Sequence, residues 1–232
     1  MFEHFIFDFD GVLADSFQIA CEEINVLATH AFPELPIVRD QEDMAFLYSG
    51  ALRTTLGRFG LSAYESKCFF DLHAAAMRRR AASIKPFSDV LAAIARFAPR
   101  RCSIVTSSYS DVVGHVLGKS HYVSESLFRV IVGREQQLPK NEKIIRVLDL
   151  LKVNPKNALH VADMASDILY SRAVPIPICA VGWGYQPLSY LQNFNPDYFV
   201  ASPDEFAAFL SSQTQPTTAS AHEAIQTRRT LL

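Results

Sequence analysis

Two different spacings of apolar residues divide the chain. Residues 5–7 form a short uninterrupted apolar run, which predicts a strand buried on both faces of a parallel sheet. From residue 16 to about 84, apolar positions recur every three or four residues, as on one face of a helix. Within this segment Ser62 and Glu65 have the spacing of a capping box and predict a helix that runs through Met77. The pattern therefore predicts one strand followed by a purely helical segment.

After Ser88, strand-like and helix-like patterns take turns along the chain. Five further strands are predicted, at residues 102–105, 130–132, 158–162, 178–181 and 198–200. A last helix is expected after Ser202, with Pro203 at its first position. Because parallel strands need crossover helices between them, this alternation predicts an α/β fold with a doubly wound parallel sheet.

The predicted elements group into two domains and a tail. Residues 1–15 and 85–210 form the α/β core, and the all-helical segment 16–84 is inserted as a cap above the functional edge of the sheet. Residues 211–232 are rich in Ser, Thr, Gln and Ala and lack a clear apolar face, which predicts a flexible tail. A chain of 232 residues, 49% of them hydrophobic, is long enough to bury such a core.

Charge and cysteine content exclude several classes of partner. Lys and Arg number 22 against 24 Asp and Glu, so the net charge of -2 favours neither a nucleic-acid nor an anionic-membrane partner. The run Arg78-Arg79-Arg80 fits a solvated helix face or, alternatively, an anion site. Four widely spaced cysteines lack metal-site spacing and indicate buried thiols in a reducing compartment. Without a secretory leader or a membrane-length apolar run, we expect a cytoplasmic protein.

Polar residues follow several of the predicted strands. Asp8 and Asp10 come directly after the first strand, and two carboxylates this close repel each other unless a cation or a proton lies between them. The other candidates are Thr106 and Ser107 after the strand at 102–105, Lys140 ahead of a helix, and Asp163 and Asp167 after the strand at 158–162. Because functional groups of open α/β sheets collect beyond the carboxyl ends of the strands, we expect these side chains to meet at one edge.

Taken in this order, the motifs resemble the haloacid dehalogenase superfamily, in particular its phosphoglycolate phosphatase-like branch with a helical cap. Phe-Asp-Phe-Asp-Gly-Val-Leu-Ala-Asp-Ser at 7–16 is the most specific motif. Ser-Ile-Val-Thr-Ser-Ser at 103–108, Lys140 and His-Val-Ala-Asp-Met-Ala-Ser-Asp at 160–167 follow it. Ala-Val-Gly-Trp-Gly-Tyr at 180–185 is similar to the segment after the fifth strand of that branch. The resemblance spans residues 5 to about 210 and implies a Rossmann-like core.

The resemblance implies hydrolysis through an aspartyl-phosphate. Asp8 would be the nucleophile, while Asp10 would protonate the leaving alcohol and later deprotonate the attacking water. The family's metal is Mg²⁺, which would be held by Asp8, the main-chain carbonyl of Asp10 and Asp163. Asp167 would complete this acidic set by orienting Lys140 or a metal-bound water.

The resemblance also implies which groups neutralise the phosphoryl charge. Lys140 would serve both the phosphoryl oxygens and the Asp8 carboxylate, with Lys143 as the competing candidate. The hydroxyl of Thr106 and the amides of Ser107 and Gly11 would donate hydrogen bonds. Gly11 has no Cβ, so we expect its backbone to approach the phosphate closely.

Two segments depart from the family's pattern, and one histidine is assigned to the core. The residue before Asp163 is Ala162, where the family more often has Gly, and its methyl group is expected to crowd the metal site and weaken activity. The segment Pro-Lys-Asn-Glu-Lys at 139–143 also departs from the family's common Lys-Pro form. His160 lies within a predicted strand and is interpreted as a core residue.

The leading functional hypothesis is a Mg²⁺-dependent phosphatase that acts on a small phosphorylated metabolite, such as phosphoglycolate or a sugar phosphate. Arg53 in the cap is a candidate for binding a substrate anion, with an exposed helix residue as the alternative. Two alternatives stay open: a phosphosugar mutase that uses the same aspartyl-phosphate, and a catalytically silent scaffold with the same fold. The sequence assigns no oligomeric state.

Overall fold

The computed structural model describes residues 1–50, 55–123 and 127–214. Its strands are β1 (His4–Phe7), β2 (Ala14–Asp15), β3 (Lys85–Pro86), β4 (Cys102–Val105), β5 (Phe128–Val132), β6 (Ala158–Ala162), β7 (Ile178–Val181) and β8 (Tyr198–Val200). Its helices are α1 (Phe17–His30), α2 (Gln41–Leu47), α3 (Ala63–Arg79), α4 (Ser88–Phe97), α5 (Ser110–Leu117), α6 (Lys140–Leu151), α7 (Ala165–Ala173), α8 (Leu188–Gln192) and α9 (Pro203–Thr214).

Six of the strands form one parallel sheet in the order β5-β4-β1-β6-β7-β8. The chain builds outward from β1 through β4 to β5, and then returns to build β6, β7 and β8 on the other side. In register, Phe7 of β1 lies opposite Ile104 of β4 and Val161 of β6. The predicted doubly wound α/β architecture is confirmed, and β5 begins two residues earlier than its apolar run indicated.

The central strand β1 is buried on both faces because helices cover both sides of the sheet. Ile6 packs in a cluster with Ile144 and Val147 of α6. The neighbouring Phe7 points to the opposite face, where its ring lies 6.0 Å from that of Phe206 in α9. Each such fully buried side chain contributes about 2 kcal/mol of transfer free energy. This two-sided burial explains why the strand is an unbroken apolar run.

The helices α1, α2 and α3 lie between β2 and β3, within the segment predicted as the cap. β2 and β3 pair antiparallel, with Ala14 opposite Pro86, where the chain leaves the sheet layer and returns to it. The capping box predicted for α3 is confirmed, because Glu65 N donates to Ser62 Oγ and Ser62 N donates to Glu65 Oε2. The ribbon of two-residue strands is too short for periodicity to indicate it, and the division at residues 16 and 84 stays a prediction.

The predicted tail begins too early in the chain. Helix α9 continues to Thr214, so residues 211–214 are helical. Its buried Phe206 and Leu210 pack in the main core. The rest of the predicted tail, 215–232, lies outside the described residues. In the described part of the chain, none of the helices has the length and apolarity needed to span a bilayer.

The arginine run and the cysteines differ from expectation in detail. Arg78 forms an ion pair with Asp111 of α5 at 2.5 Å, and Arg80 pairs with Glu22 and Glu23 of α1. The ion pairs of the run therefore connect α3 to α1 and to the core.

All four cysteines are free thiols, and three are buried as expected, whereas Cys68 is only half-buried.

His160 is confirmed as a core residue and imposes a pH dependence on stability. It is fully buried in β6, where its Nδ1 and the Ser171 hydroxyl share a hydrogen bond of 2.7 Å. Burial lowers the pKa of His160 well below the ordinary 6.5. Below about pH 6.5 His160 is protonated in the unfolded chain but stays neutral in the folded chain. The free energy of unfolding therefore decreases by about 1.4 kcal/mol for each unit by which the pH is lowered.

Urea unfolding of the wild type and His160→Gln, measured between pH 7.5 and 5, tests this prediction. The variant lacks the titrating group, so the difference in unfolding free energy between the two proteins is expected to narrow as the pH falls. A difference that stays constant across this range would show that His160 is not held neutral by the fold.

Candidate active site

The carboxyl ends of two adjacent strands, β1 and β6, bring the predicted acidic residues together. Asp8 follows β1 and Asp163 follows β6, while Asp167 lies in the first turn of α7. One carboxylate oxygen from each of these three buried residues lies within 4.8 Å of the other two. Because neighbouring strands run parallel, their following residues reach the same edge, as the sequence indicated.

Lys140 lies among these carboxylates at the first residue of α6. Its Nζ donates to Asp8 Oδ2 at 2.7 Å and forms an ion pair with Asp167 Oδ1 at 2.6 Å. Burial alone would lower the pKa of Lys140, but the charges of Asp167 and Asp8 more than offset this and raise it above its usual range. Lys140 is therefore a permanent cation in contact with both carboxylates.

The competing candidate, Lys143, is placed differently. One helical turn further along α6, its buried Nζ donates to the main-chain carbonyl of Thr106 at 2.8 Å. Burial and the neighbouring charge of Lys140 lower the pKa of Lys143 to about 8. Lys140, and not Lys143, contacts Asp8.

The acidic cluster has the features of a cation site. Burial raises the pKa of both Asp8 and Asp163; the charge of Asp167 raises the pKa of Asp8 further, and the charge of Asp8 raises that of Asp163. Asp163 Oδ2 accepts a hydrogen bond from Tyr185 N at 2.7 Å, whereas Asp163 Oδ1 and Asp167 Oδ2 are buried without a hydrogen-bond partner among the described residues. An all-oxygen set of carboxylates with unsatisfied atoms suits a hard divalent cation such as Mg²⁺.

Asp10 is separate from this cluster. Its Oδ2 accepts a hydrogen bond of 2.5 Å from the Ser108 hydroxyl, and burial raises the pKa of its carboxyl. Sequence reasoning missed Ser108, although the hydroxyl repeat after β4 was a signal that pointed to it. The structure thus holds two carboxyls of the first motif in two environments, one beside Lys140 and one beside Ser108. A main-chain role of Asp10 in metal binding stays a prediction.

Two glycines allow the backbone to approach Asp163. Gly11 has φ +74°, and a Cβ on it would lie 2.0 Å from Asp163 Oδ2. A Cβ on Gly184 would lie 2.3 Å from the same atom. The sequence interpretation of Gly11 as a phosphate neighbour therefore omitted its contact with Asp163. The role of residues 180–185 was also missed, because only the fold brings Gly184 and Tyr185 beside β6.

The remaining candidates are distributed as follows. Thr106 is buried, and its Oγ1 accepts from Ser108 N at 2.9 Å, which leaves its hydroxyl hydrogen free to donate. Ser107 is exposed and faces the same cavity as Asp8. The methyl group of Ala162 packs in an apolar cluster with residues of α7, so the expected crowding of the acidic site is not seen. Arg53 lies outside the described residues.

A cavity of about 820 Å³ opens between the sheet edge and the helical segment. Its floor contains Asp8, Asp10, Thr106, Lys140 and Asp167. Tyr48, Ser66, Phe70, His73 and Met77 line it from the helical side. The cavity can therefore enclose a small molecule against the carboxylates while restricting its contact with bulk water.

The sequence of this chain is similar to those of known hydrolases. A family model described as haloacid dehalogenase-like hydrolase matches residues 5–181. A protein from Caldanaerobacter subterraneus subsp. tengcongensis, named for pyrophosphatase activity, is 25% identical over 201 residues, which cover 84% of this chain and 88% of the relative. A phosphoglycolate phosphatase from Synechococcus elongatus is 25% identical over 86% of this chain and 93% of its own.

A solved structure shows the same fold. It is a haloacid dehalogenase-like family protein from Streptococcus pneumoniae, with a TM-score of 0.68 and 22% identity. The match covers 90% of this chain and 98% of the other. The helical segment as well as the sheet is therefore part of the shared architecture.

Proposed function

The chain belongs to the haloacid dehalogenase-like hydrolase family, and on this premise we propose that it hydrolyses a small phosphate monoester through a phosphorylated Asp8. The observation that carries the proposal is Lys140, buried and bonded to Asp8 while also paired with Asp167. The contact with Lys140 favours the ionised form of Asp8 against the effect of burial, and Asp8 lines the cavity, as a nucleophile requires. The names of the two curated relatives, a pyrophosphatase and a phosphoglycolate phosphatase, support phosphate ester or anhydride chemistry.

In the first half-reaction, an oxygen of Asp8 attacks phosphorus as the bond from phosphorus to the leaving oxygen breaks. Asp10 donates a proton to that oxygen, and its hydrogen bond with Ser108 holds it apart from the acidic cluster. Lys140 and the Thr106 hydroxyl offset the negative charge that the phosphoryl group brings to Asp8.

In the second half-reaction, water attacks phosphorus, Asp10 accepts a proton from it, and the bond to Asp8 breaks. This releases inorganic phosphate and restores both carboxyls. Asp8, Asp163 and Asp167 would hold Mg²⁺, which supplies charge neutralisation for the phosphoryl oxygens when bound. Cavity walls from the helical segment limit the access of other water.

The test is the release of phosphate from a panel of phosphoglycolate, pyrophosphate, sugar phosphates and nucleotides, with Mg²⁺ and with EDTA. We expect phosphate release with Mg²⁺, its loss with EDTA, and a rise in melting temperature when Mg²⁺ is added to the stripped protein. An isomerised hexose phosphate without phosphate release would favour the mutase reading. Absence of turnover together with absence of a Mg²⁺-dependent shift would favour the silent scaffold.

The proposal also names a cellular compartment and a class of substrate. Four free thiols fit the reducing cytoplasm expected from the cysteine spacing. The partner is a small phosphorylated metabolite, since the cavity of about 820 Å³ lies in the size range of small-molecule sites.

A further inference from the structure

Two cations line the cavity on the side that faces the helical segment. Arg134 belongs to the short 3₁₀ turn Arg134–Gln136, which follows β5, and Lys67 lies on α3. The Arg134 side chain is 23% exposed, whereas that of Lys67 is 75% exposed and lies near the mouth. Neither residue belongs to the group of side chains around Asp8.

These two cations share a single carboxylate, that of Asp71 on α3. Lys67 Nζ lies 2.5 Å from Asp71 Oδ2, and the guanidinium of Arg134 donates to Asp71 Oδ1. The hydrogen bond from Lys67 and the pair with Arg134 keep the pKa of Asp71 below its usual range against the opposing effect of burial. With one anion for two cations, the group of Lys67, Asp71 and Arg134 carries a formal charge of +1.

Among the described residues, the other carboxylates that line the cavity form no ion pair with Arg134 or Lys67. Glu135 accepts hydrogen bonds from the main-chain amide and the hydroxyl of Ser110. Lys143 donates to the Thr106 carbonyl, and Asp8 and Asp167 are engaged with Lys140. Asp10 is bonded to Ser108.

Arg134 is held by the core, in a fixed relation to the reacting groups. Its main-chain N–H donates to the carbonyl of Ser108 at 2.8 Å, and the hydroxyl of the same Ser108 bonds Asp10. Asp71, in contrast, comes from α3 of the helical segment. An anion on the substrate can therefore take the place of Asp71 against the guanidinium without disturbing the support of Asp10.

We propose that Arg134, assisted by Lys67, forms a subsite for a second negatively charged group on the substrate, and that Asp71 fills this subsite when no substrate is bound. The inference rests on the proposed phosphatase function and narrows its substrate class. The favoured substrates are phosphate esters or anhydrides whose leaving portion carries a carboxylate or a phosphate. The planar guanidinium suits both groups, because its N–H donors match the spacing of their oxygens.

The test compares a matched substrate pair, phosphoglycolate and 2-hydroxyethyl phosphate, which differ only in the carboxylate. Arg134→Gln is expected to lower the ratio of kcat/KM for phosphoglycolate to kcat/KM for 2-hydroxyethyl phosphate by about 10-fold. The main cause is a higher KM for phosphoglycolate, because one charge pair to the substrate is lost. Arg134→Lys keeps the charge and should recover part of the ratio. Pyrophosphate provides the phosphate arm, and the larger loss between the two arms identifies the preferred anion.

Asp71→Asn provides a readout of opposite sign. It removes the competing carboxylate, so the KM of the doubly anionic substrates is expected to fall by about 3-fold, an electrostatic effect of less than 1 kcal/mol. If Arg134 and Asp71 only tie the helical segment to the core, both variants will impair the two members of the pair equally, and the proposal is overturned. Arg129→Gln, an exposed arginine of β5 away from the cavity, is the control and should leave the ratio unchanged.

Failure of the underlying function is distinguishable from failure of the subsite. If the wild type releases no phosphate from any member of the set with Mg²⁺, the phosphatase function and the subsite both fall. If the wild type turns over both members of the pair and Arg134→Gln leaves their ratio unchanged, the subsite alone is refuted.

Discussion

Asp8→Asn is expected to lower kcat by at least about 10³-fold on the best substrate, because an amide oxygen is a far weaker nucleophile than a carboxylate. Asn is nearly isosteric, but its single amide oxygen can accept only one of the two hydrogen bonds made to Asp8, which run from Phe9 N to Oδ1 and from Lys140 Nζ to Oδ2. The variant therefore removes the nucleophilic charge with little change in side-chain volume. The measurement is phosphate release at saturating substrate with Mg²⁺, accompanied by a melting curve that verifies folding.

Asp15→Asn is the matched control, since Asp15 is an exposed carboxylate of β2 within the same motif. Its turnover is expected to stay within about 2-fold of wild type, as for surface substitutions away from special features. Retention of more than a tenth of the wild-type kcat by Asp8→Asn would rule out covalent attack by this residue. Such a result would leave direct attack by water as the mechanism to examine.

Lys140→Met is expected to destabilise the metal-free protein by about 3–5 kcal/mol as well as to abolish turnover. The substitution removes the cation that contacts Asp8 and Asp167, and it leaves the buried carboxylates facing one another and Asp163. Met has a similar length and fills the space of the lysine stem, so the loss reflects charge and not a cavity. Urea unfolding in the presence of EDTA at pH 7.5 measures it without a compensating divalent ion.

Lys143→Met separates this effect from the loss of any buried lysine. Lys143 is also buried in α6, but its Nζ bonds a neutral carbonyl, so its removal is expected to cost about 1 kcal/mol. Equal losses for the two variants would mean that the ion pairs of Lys140 carry no special share of stability. The assignment of Lys140 as the neutralising cation would then have to be abandoned.

The strands and the first motif were predictable from the sequence because their signals are local. β1 is an apolar run that ends at a carboxylate, and the alternation after Ser88 repeats with short spacings. Once the strands are parallel, the residues that follow them must reach one edge, which is how Asp8 and Asp163 could be expected to meet. The ribbon of β2 and β3 escaped prediction because a two-residue strand has no periodicity.

The family resemblance favoured Lys140 over Lys143, and the tertiary structure shows which of the two contacts Asp8. The two residues lie three positions apart on α6, so they share a helix face, and their local sequence cannot tell which Nζ reaches Asp8. The register of α6 against β1 and β4 directs Lys140 to Asp8 and Lys143 to the Thr106 carbonyl.

The sequence by itself indicated the six strands of the parallel sheet and the acidic residues at its edge, because burial and backbone geometry impose their patterns on consecutive residues. Only the tertiary structure brought Ser108 to Asp10, Gly184 to Asp163 and Arg134 to Asp71. These contacts join residues from 21 to 98 positions apart in the chain. Such contacts depend on how packed layers lie against one another, and no spacing along the chain encodes that.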